Sequence, residues 1–189
     1  MVAEVAAECD PFLQAIGMAH FPGTHMFQDV DDITPAVVES WASDTPFDLV
    51  LLIGGFPCKD LSRLKAGRKN LQGPQSGLFA HIPRILNLLR SSFTLPIFFL
   101  IENVVMDRDA QQQVSSELGV VPIRINSQAV SAAKRDRLYW VNFDVQPMPG
   151  ESMDIDFHEQ RLILVDDPRK LQILEPGAKT HATFAGAFE

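Results

Sequence analysis

Not one lysine or arginine occurs in the first 48 residues, although nine acids do, and the whole chain carries a net charge of −8. An acidic total of this kind argues against a general nucleic-acid coat. Cysteine is nearly absent. Cys9 and Cys58 are the only two, which excludes a disulfide framework and a thiolate zinc site. The longest purely apolar runs are a few residues, far short of a membrane span. The start, Met1-Val2-Ala3-Glu4, has neither the basic region nor the long apolar run of a secretory signal. There is no internal repeat, no Walker lysine motif and no Gly-x-Gly-x-x-Gly, so nucleotide triphosphate and nicotinamide chemistry have little support. His20, His25, His81, His158 and His181 show no metal spacing.

What is present suits one domain with a true core. The chain has 189 residues, 46% of them apolar, and Phe alone accounts for 13. This excludes a disordered chain and leaves no room for two domains. A free thiol as the most reactive side chain fits a reduced, intracellular compartment. Charge is unevenly laid out. Residues 49–143 hold twelve bases against six acids, and residues 144–189 hold nine acids against four bases. The basic excess covers the segments with reactive side chains, and either a phosphate-attracting face or ordinary loop solvation explains it.

Strand and helix signals alternate. Short strands are expected at 4–7 and 24–28, and the apolar run 48–53 reads as a strand buried on both faces. Asp10 with Pro11 predicts a helix over 11–20, and Thr34 with Pro35 predicts another. Residues 60–73 read as a loop. A helical period runs from Ser76 to Arg90, kinked or divided at Pro83. Further strands are expected at 96–101, 120–125, 138–143 and 161–165, with a surface helix at 108–118. Pro122 puts the 120–125 strand near a sheet edge. The alternation predicts an α/β fold with a mainly parallel sheet.

Two strand ends carry chemistry. Gly55-Phe56-Pro57-Cys58-Lys59 follows the run ending at Ile53 and puts a thiol on a stiff turn beside Lys59, Arg63, Lys65, Arg68 and Lys69. A small apolar residue in a tight turn explains Cys58 as well. Glu102 follows a second buried run, where a carboxylate is expensive unless hydrogen bonded or used, and Asn103 can brace the turn. Arg135 and Arg137 share one face if the backbone is extended, with Tyr139 continuing the row. They suit one anionic group or one heterocycle oxygen; a solvated basic patch explains them too. Glu8 and Asp29 each follow a candidate strand, where carboxylates suit a ribose diol and an amino group or simply cap loops.

In order along the chain, these segments resemble the cytosine-5 DNA methyltransferases, and most closely their animal de novo branch. Gly54-Gly55-Phe56-Pro57-Cys58-Lys59-Asp60-Leu61-Ser62 is similar to the nucleophile motif, and Ile101-Glu102-Asn103-Val104 to the catalytic glutamate motif. Gly67-Arg68-Lys69-Asn70-Leu71 and Ser76-Gly77-Leu78-Phe79 resemble the stretches downstream of the nucleophile. Val130 to Trp140 resembles the arginine motif in its de novo form, with Ala133 where glutamine is common. The resemblance implies a Rossmann-like S-adenosyl-L-methionine-dependent methyltransferase fold lacking its first strand. It also implies catalytic roles for Cys58, Glu102, Arg135 and Arg137, and cofactor contacts from Glu8, Asp29, Gly55 and Pro57. Lys59, Arg63, Lys65, Arg68 and Lys69 would then meet DNA.

By the same resemblance, 1–145 is a partial catalytic domain, while 146–189 is an acidic linker leading toward target recognition. The chain would be truncated at both ends. The implied activity is methyl transfer from S-adenosyl-L-methionine, without a metal, to C5 of cytosine in double-stranded DNA. The alternative is an inactive regulatory or dimerising subunit. A homo- or hetero-oligomer of methyltransferase chains is compatible with both. The expected location is the nucleus if the source is eukaryotic and otherwise intracellular. A tRNA substrate fits the Ala133 form and the Leu61-Ser62 ending less well.

Overall fold

The computed structural model describes residues 4–44, 47–57, 76–127, 135–145, 152–156 and 161–165. The chain divides into two compact units, one from Met1–Leu51 and Ala80–Ile97, the other from Leu52–Phe79 and Phe98–Glu189. Among the described residues no helix is long and apolar enough to cross a membrane.

In the first unit, β1 (Val5–Ala7) and β2 (His25–Phe27) pair in parallel, Val5 opposite His25 and Ala7 opposite Phe27. Helix α1 (Pro11–His20) connects them. Its start follows from Asp10, whose carboxylate accepts from the backbone N–H of Phe12 and Leu13, with proline in the first turn where no N–H is needed. A side chain at Gly17 would meet Met26 Cε at 3.3 Å, so the glycine permits a close helix–strand approach. Helix α2 (Pro35–Asp44) follows Thr34, and Val38 on it is fully buried.

Helix α3 (His81–Ser92) buries Ile85, Leu86 and Leu89. The helical period expected from Ser76 is divided: Ser76–Ala80 winds as a 3-10 turn and the α-helix begins at His81. Pro83 therefore sits in the first turn, where its missing N–H breaks no bond. Arg84 ties α3 to the turn between β2 and α2, donating to Ile33 O at 2.8 Å and Val30 O at 2.7 Å.

The second unit is organised by a sheet of β3 (Val50–Gly55), β4 (Ile97–Val104), β5 (Ile123–Asn126), β6 (Asp136–Val141), β7 (Ser152–Asp156) and β8 (Arg161–Val165). Their order is β3-β4-β6-β5-β8-β7. β4 and β5 both run antiparallel to β6, β7 runs antiparallel to β8, and β5 is parallel to β8. The sheet is thus mixed, which corrects the expectation of a mainly parallel one. Alternation sends Phe99, Ile101, Leu138 and Trp140 to one fully buried face. Helix α4 (Arg108–Leu118) contributes buried Val114 and Leu118. Ser115 accepts from Trp140 Nε1 at 2.9 Å, which fixes α4 on that face.

Two further expectations change. β5 lies between β6 and β8 rather than at an edge, because buried Pro122 precedes the strand and removes no ladder bond. β3 is not buried on both faces: it ends the strand order, and Leu51 and Ile53 remain 44% and 66% exposed.

Candidate active site

β3 and β4 meet where their sequences turn polar. Asn103 is buried, donates from Nδ2 to the Phe56 carbonyl at 2.9 Å and accepts the Val104 N–H at 2.7 Å. One amide side chain thereby pins the peptide before Pro57 to the neighbouring strand. Phe56 is also buried, its ring 4.9 Å from that of Phe79. Gly55 lies against Glu102: an added Cβ would sit 3.1 Å from the Glu102 carbonyl oxygen and 3.6 Å from its carboxylate Oε2. A backbone carbonyl cannot yield as a flexible side chain would, so this approach needs glycine.

Glu102 does not follow the strand, as its polarity suggests, but lies within it. β4 continues to Val104, and Glu102 stands opposite Tyr139 in the antiparallel ladder. Period-two alternation then gathers Glu102, Arg137 and Tyr139 on one face, away from Leu138 and Trp140. Arg137 donates from Nε to Glu102 Oε1 at 2.7 Å, and Arg135 approaches the same oxygen at 3.5 Å. The two guanidiniums are unequal partners: the Arg137 side chain is 21% exposed and that of Arg135 60%, against 30% for Glu102. A short, half-buried, charge-assisted bond is the stronger one. Burial pushes the Tyr139 phenol above its ordinary value, with the Glu102 carboxylate adding to the effect and the arginines opposing it. The phenol stays neutral beside three charges.

The first unit carries its own pair of acids. Glu8 and Asp29 lie just beyond the carboxyl ends of the adjacent parallel strands β1 and β2, and the Glu8 N–H bonds to Phe27 O at 3.1 Å. The Glu8 carboxylate accepts the Asp10 N–H, and the Asp29 carboxylate accepts the Asp31 N–H, each at 2.9 Å. One oxygen of each holds its own loop. A carboxylate has lone pairs on both oxygens, so both acids keep capacity for hydroxyl or amino donors. That acceptor set fits the hydroxyl and amino groups of a nucleoside-bearing cofactor. Among the described residues no group of three or more His, Cys, Asp and Glu can hold a metal ion.

Of the residues singled out from sequence, the structure brings Gly55, Glu102, Arg135 and Arg137 together. Pro57 follows the pinned peptide. Cys58, Lys59, Arg63, Lys65, Arg68 and Lys69 lie outside the described residues. Sequence reasoning missed Arg124 and Asp136. Arg124 donates from Nε to Asp136 Oδ1 at 2.8 Å, and its terminal nitrogen reaches Oδ2. The signal was there: an acid between two same-face arginines must face the other way and needs a partner.

Residues 2–115 match the model of the family described as C-5 cytosine-specific DNA methylase. The chain is 31% identical over 101 residues to the type II methyltransferase M2.BsuMI of Bacillus subtilis (strain 168), covering 53% of this chain and 23% of that protein. It is similar in fold to a crystal structure described as a DNA modification methyltransferase encoded within a prophage (E. coli). There the TM-score is 0.52 at 22% identity, over 73% of this chain and 39% of that one. A Spodoptera frugiperda DNMT2 mutant gives a TM-score of 0.49 at 18% identity, over 87% of this chain and 47% of that one. The similarity to the prophage-encoded enzyme shows a shared α/β, Rossmann-like methyltransferase fold, and the chain spans well under two thirds of the length of each of these relatives.

Proposed function

This chain belongs to the C-5 cytosine-specific DNA methylase family, and from that premise we propose that it serves methyl transfer from S-adenosyl-L-methionine to C5 of cytosine in double-stranded DNA. The observation that carries the reading is the half-buried Glu102 carboxylate, held by Arg137 and packed against Gly55 at the end of the strand that leads to Cys58. A scaffold has no need of a costly carboxylate at that point. A flipped pyrimidine needs an acid for N3 and cationic donors for O2.

Each residue then has a task. The Cys58 thiolate adds to C6 as Glu102, in its protonated form, gives its proton to N3, which leaves an enamine whose C5 is nucleophilic. Arg137 and Arg135 steady the O2 side and the neighbouring phosphate. The cofactor, when bound, supplies an electrophilic methyl group; Glu8 and Asp29 would hold its ribose and adenine ends, with Gly55 and Pro57 alongside. After C5 is methylated, a water molecule takes the C5 proton, the electron pair left behind expels the thiolate, and N3 returns its proton to Glu102. The paired base must first leave the stack, at a cost of a few kcal/mol. Lys59, Arg63, Lys65, Arg68 and Lys69 would contact phosphate rather than read sequence.

We assign the chain to a de novo-like branch on Ala133 in the arginine segment, residues 1–145 to the catalytic domain and 146–189 to an acidic linker. In a eukaryotic source the nucleus is the corresponding location. The test is transfer of a radiolabelled methyl group to duplex DNA, by the 189-residue chain alone and together with methyltransferase chains that complete the fold. Transfer that disappears in Cys58→Ser supports the reading. Duplex DNA bound but never methylated in either setting would sink it and favour a regulatory subunit.

A further inference from the structure

The fork between Arg124 and Asp136 lies on the opposite face of β6 from Glu102. Register shows this. Asp136 shares a face with Leu138 and Trp140, whereas Arg137 shares the other with Tyr139. Arg124, opposite Leu138 on β5, reaches diagonally to both carboxylate oxygens of Asp136. Three more bonds converge on the same short stretch. The Arg135 carbonyl accepts the Ser127 N–H at 3.0 Å, the Asp136 carbonyl accepts Arg137 NH1 at 2.8 Å, and Arg137 Nε donates to Glu102 at 2.7 Å. The first residues of β6 are thus held by side chain behind and by backbone at the edge, while the guanidinium works in front.

We propose that Arg124 and Asp136 are positioning residues: their bidentate pair fixes the Asp136 peptide, whose carbonyl in turn holds Arg137 on Glu102. The physical need is plain. Arginine is long and rotamer-rich, and its fork binds well only when its stem is already placed. A carbonyl accepting from NH1 and a carboxylate accepting from Nε define one orientation of the guanidinium plane, provided the carbonyl itself does not rotate. A bidentate guanidinium–carboxylate pair is a strong, geometrically specific way to stop that rotation. An ion pair that merely joined β5 to β6 would leave Arg137 unaffected when removed. The catalytic consequence rests on the function proposed above, but the positioning does not.

The test reads Arg137 directly. In the 15N-labelled chain, the Nε–H resonance of Arg137, identified by its loss in Arg137→Lys, reports the bond to Glu102 through its protection from solvent exchange. Asp136→Ala and Arg124→Gln are expected to speed that exchange at least about tenfold while the fold is retained. Unchanged protection in folded variants would overturn the proposal. If either variant fails to fold, Arg124→Lys decides: it keeps the charge and loses the fork, so intermediate exchange supports positioning and wild-type exchange refutes it. In an assembly that methylates DNA, Asp136→Ala is expected to lower kcat by about ten- to a hundredfold, with KM for duplex within about threefold, as small misplacements at reacting groups do. Should the wild type never transfer a methyl group while Nε–H exchange still responds, the functional reading fails and the positioning stands.

Discussion

Glu102 and the pair Glu8 and Asp29 are carboxylates at or near strand ends, yet they are satisfied in opposite ways. Glu102 is held by guanidiniums from a neighbouring strand, whereas Glu8 and Asp29 accept backbone N–H groups two residues along their own loops. The difference is one of neighbours: β6 brings two guanidiniums to Glu102, whereas the cation that reaches this part of the first unit, Arg84, lies 3.7 Å from Asp31. A carboxylate set by its own backbone is positioned before any ligand arrives and keeps an oxygen for a neutral donor. One set by a cation can share that cation with an incoming anion or carbonyl. The same functional group is thus a backbone-set acceptor in one unit and an ion-pair partner in the other.

The comparison breaks most severely at Asn103. Asn103→Ala leaves the Phe56 carbonyl and the Val104 N–H without their buried partner, and about 2–4 kcal/mol of stability should be lost, read from urea unfolding. A smaller effect separates the two guanidiniums. Arg137→Ala strips a half-buried carboxylate of its 2.7 Å partner and should cost about 1–2 kcal/mol. Arg135→Ala, at 3.5 Å and largely exposed, should stay within about 0.5 kcal/mol. Equal losses would mean that both arginines hold Glu102 alike.

On the other side of the comparison, Asp10→Ala removes the cap of α1 and should cost about 1 kcal/mol, while Asp29→Asn, which keeps an acceptor oxygen, should cost only a few tenths. Thermal melts resolve that order. The finest probe is optical. Tyr139 is the sole tyrosine, so phenolate absorbance near 295 nm titrates one group, and its midpoint should lie above the ordinary value of about 10. Glu102→Gln should lower that midpoint and Arg137→Ala should raise it. The sign for stability follows: the neutral phenol favours the fold, so its contribution is complete below the unfolded value near 10 and is lost as pH rises through the higher folded value.

Elements with local punctuation were legible in sequence. The helix Arg108–Leu118 is bounded by Asp107, whose carboxylate accepts the Ala110 N–H, and by Gly119 at φ 75°, a conformation glycine adopts without strain. Pro11–His20 was readable from Asp10 and Pro11 for the same reason. Features decided by partners were not. A polar Glu102 looks like a strand end unless one knows that β6 supplies a ladder partner at Tyr139 and a cation at Arg137. Ser152–Asp156, acidic and alternating, became a strand by pairing with Arg161–Val165. At the site, the shared face of Arg135 and Arg137 was readable from their i,i+2 spacing and their meeting with Glu102 only from the family resemblance, while the fork behind them required knowing which strand lay next to Asp136.

The terminal strand β3 has a practical consequence. Ile53 and Leu51 present branched apolar side chains beside a backbone edge that no other described strand occupies, and no charged residue interrupts 49–57 to discourage lateral growth. Purified chain should therefore elute earlier from a sizing column as it is concentrated, and Ile53→Lys should keep it monodisperse at the same loading.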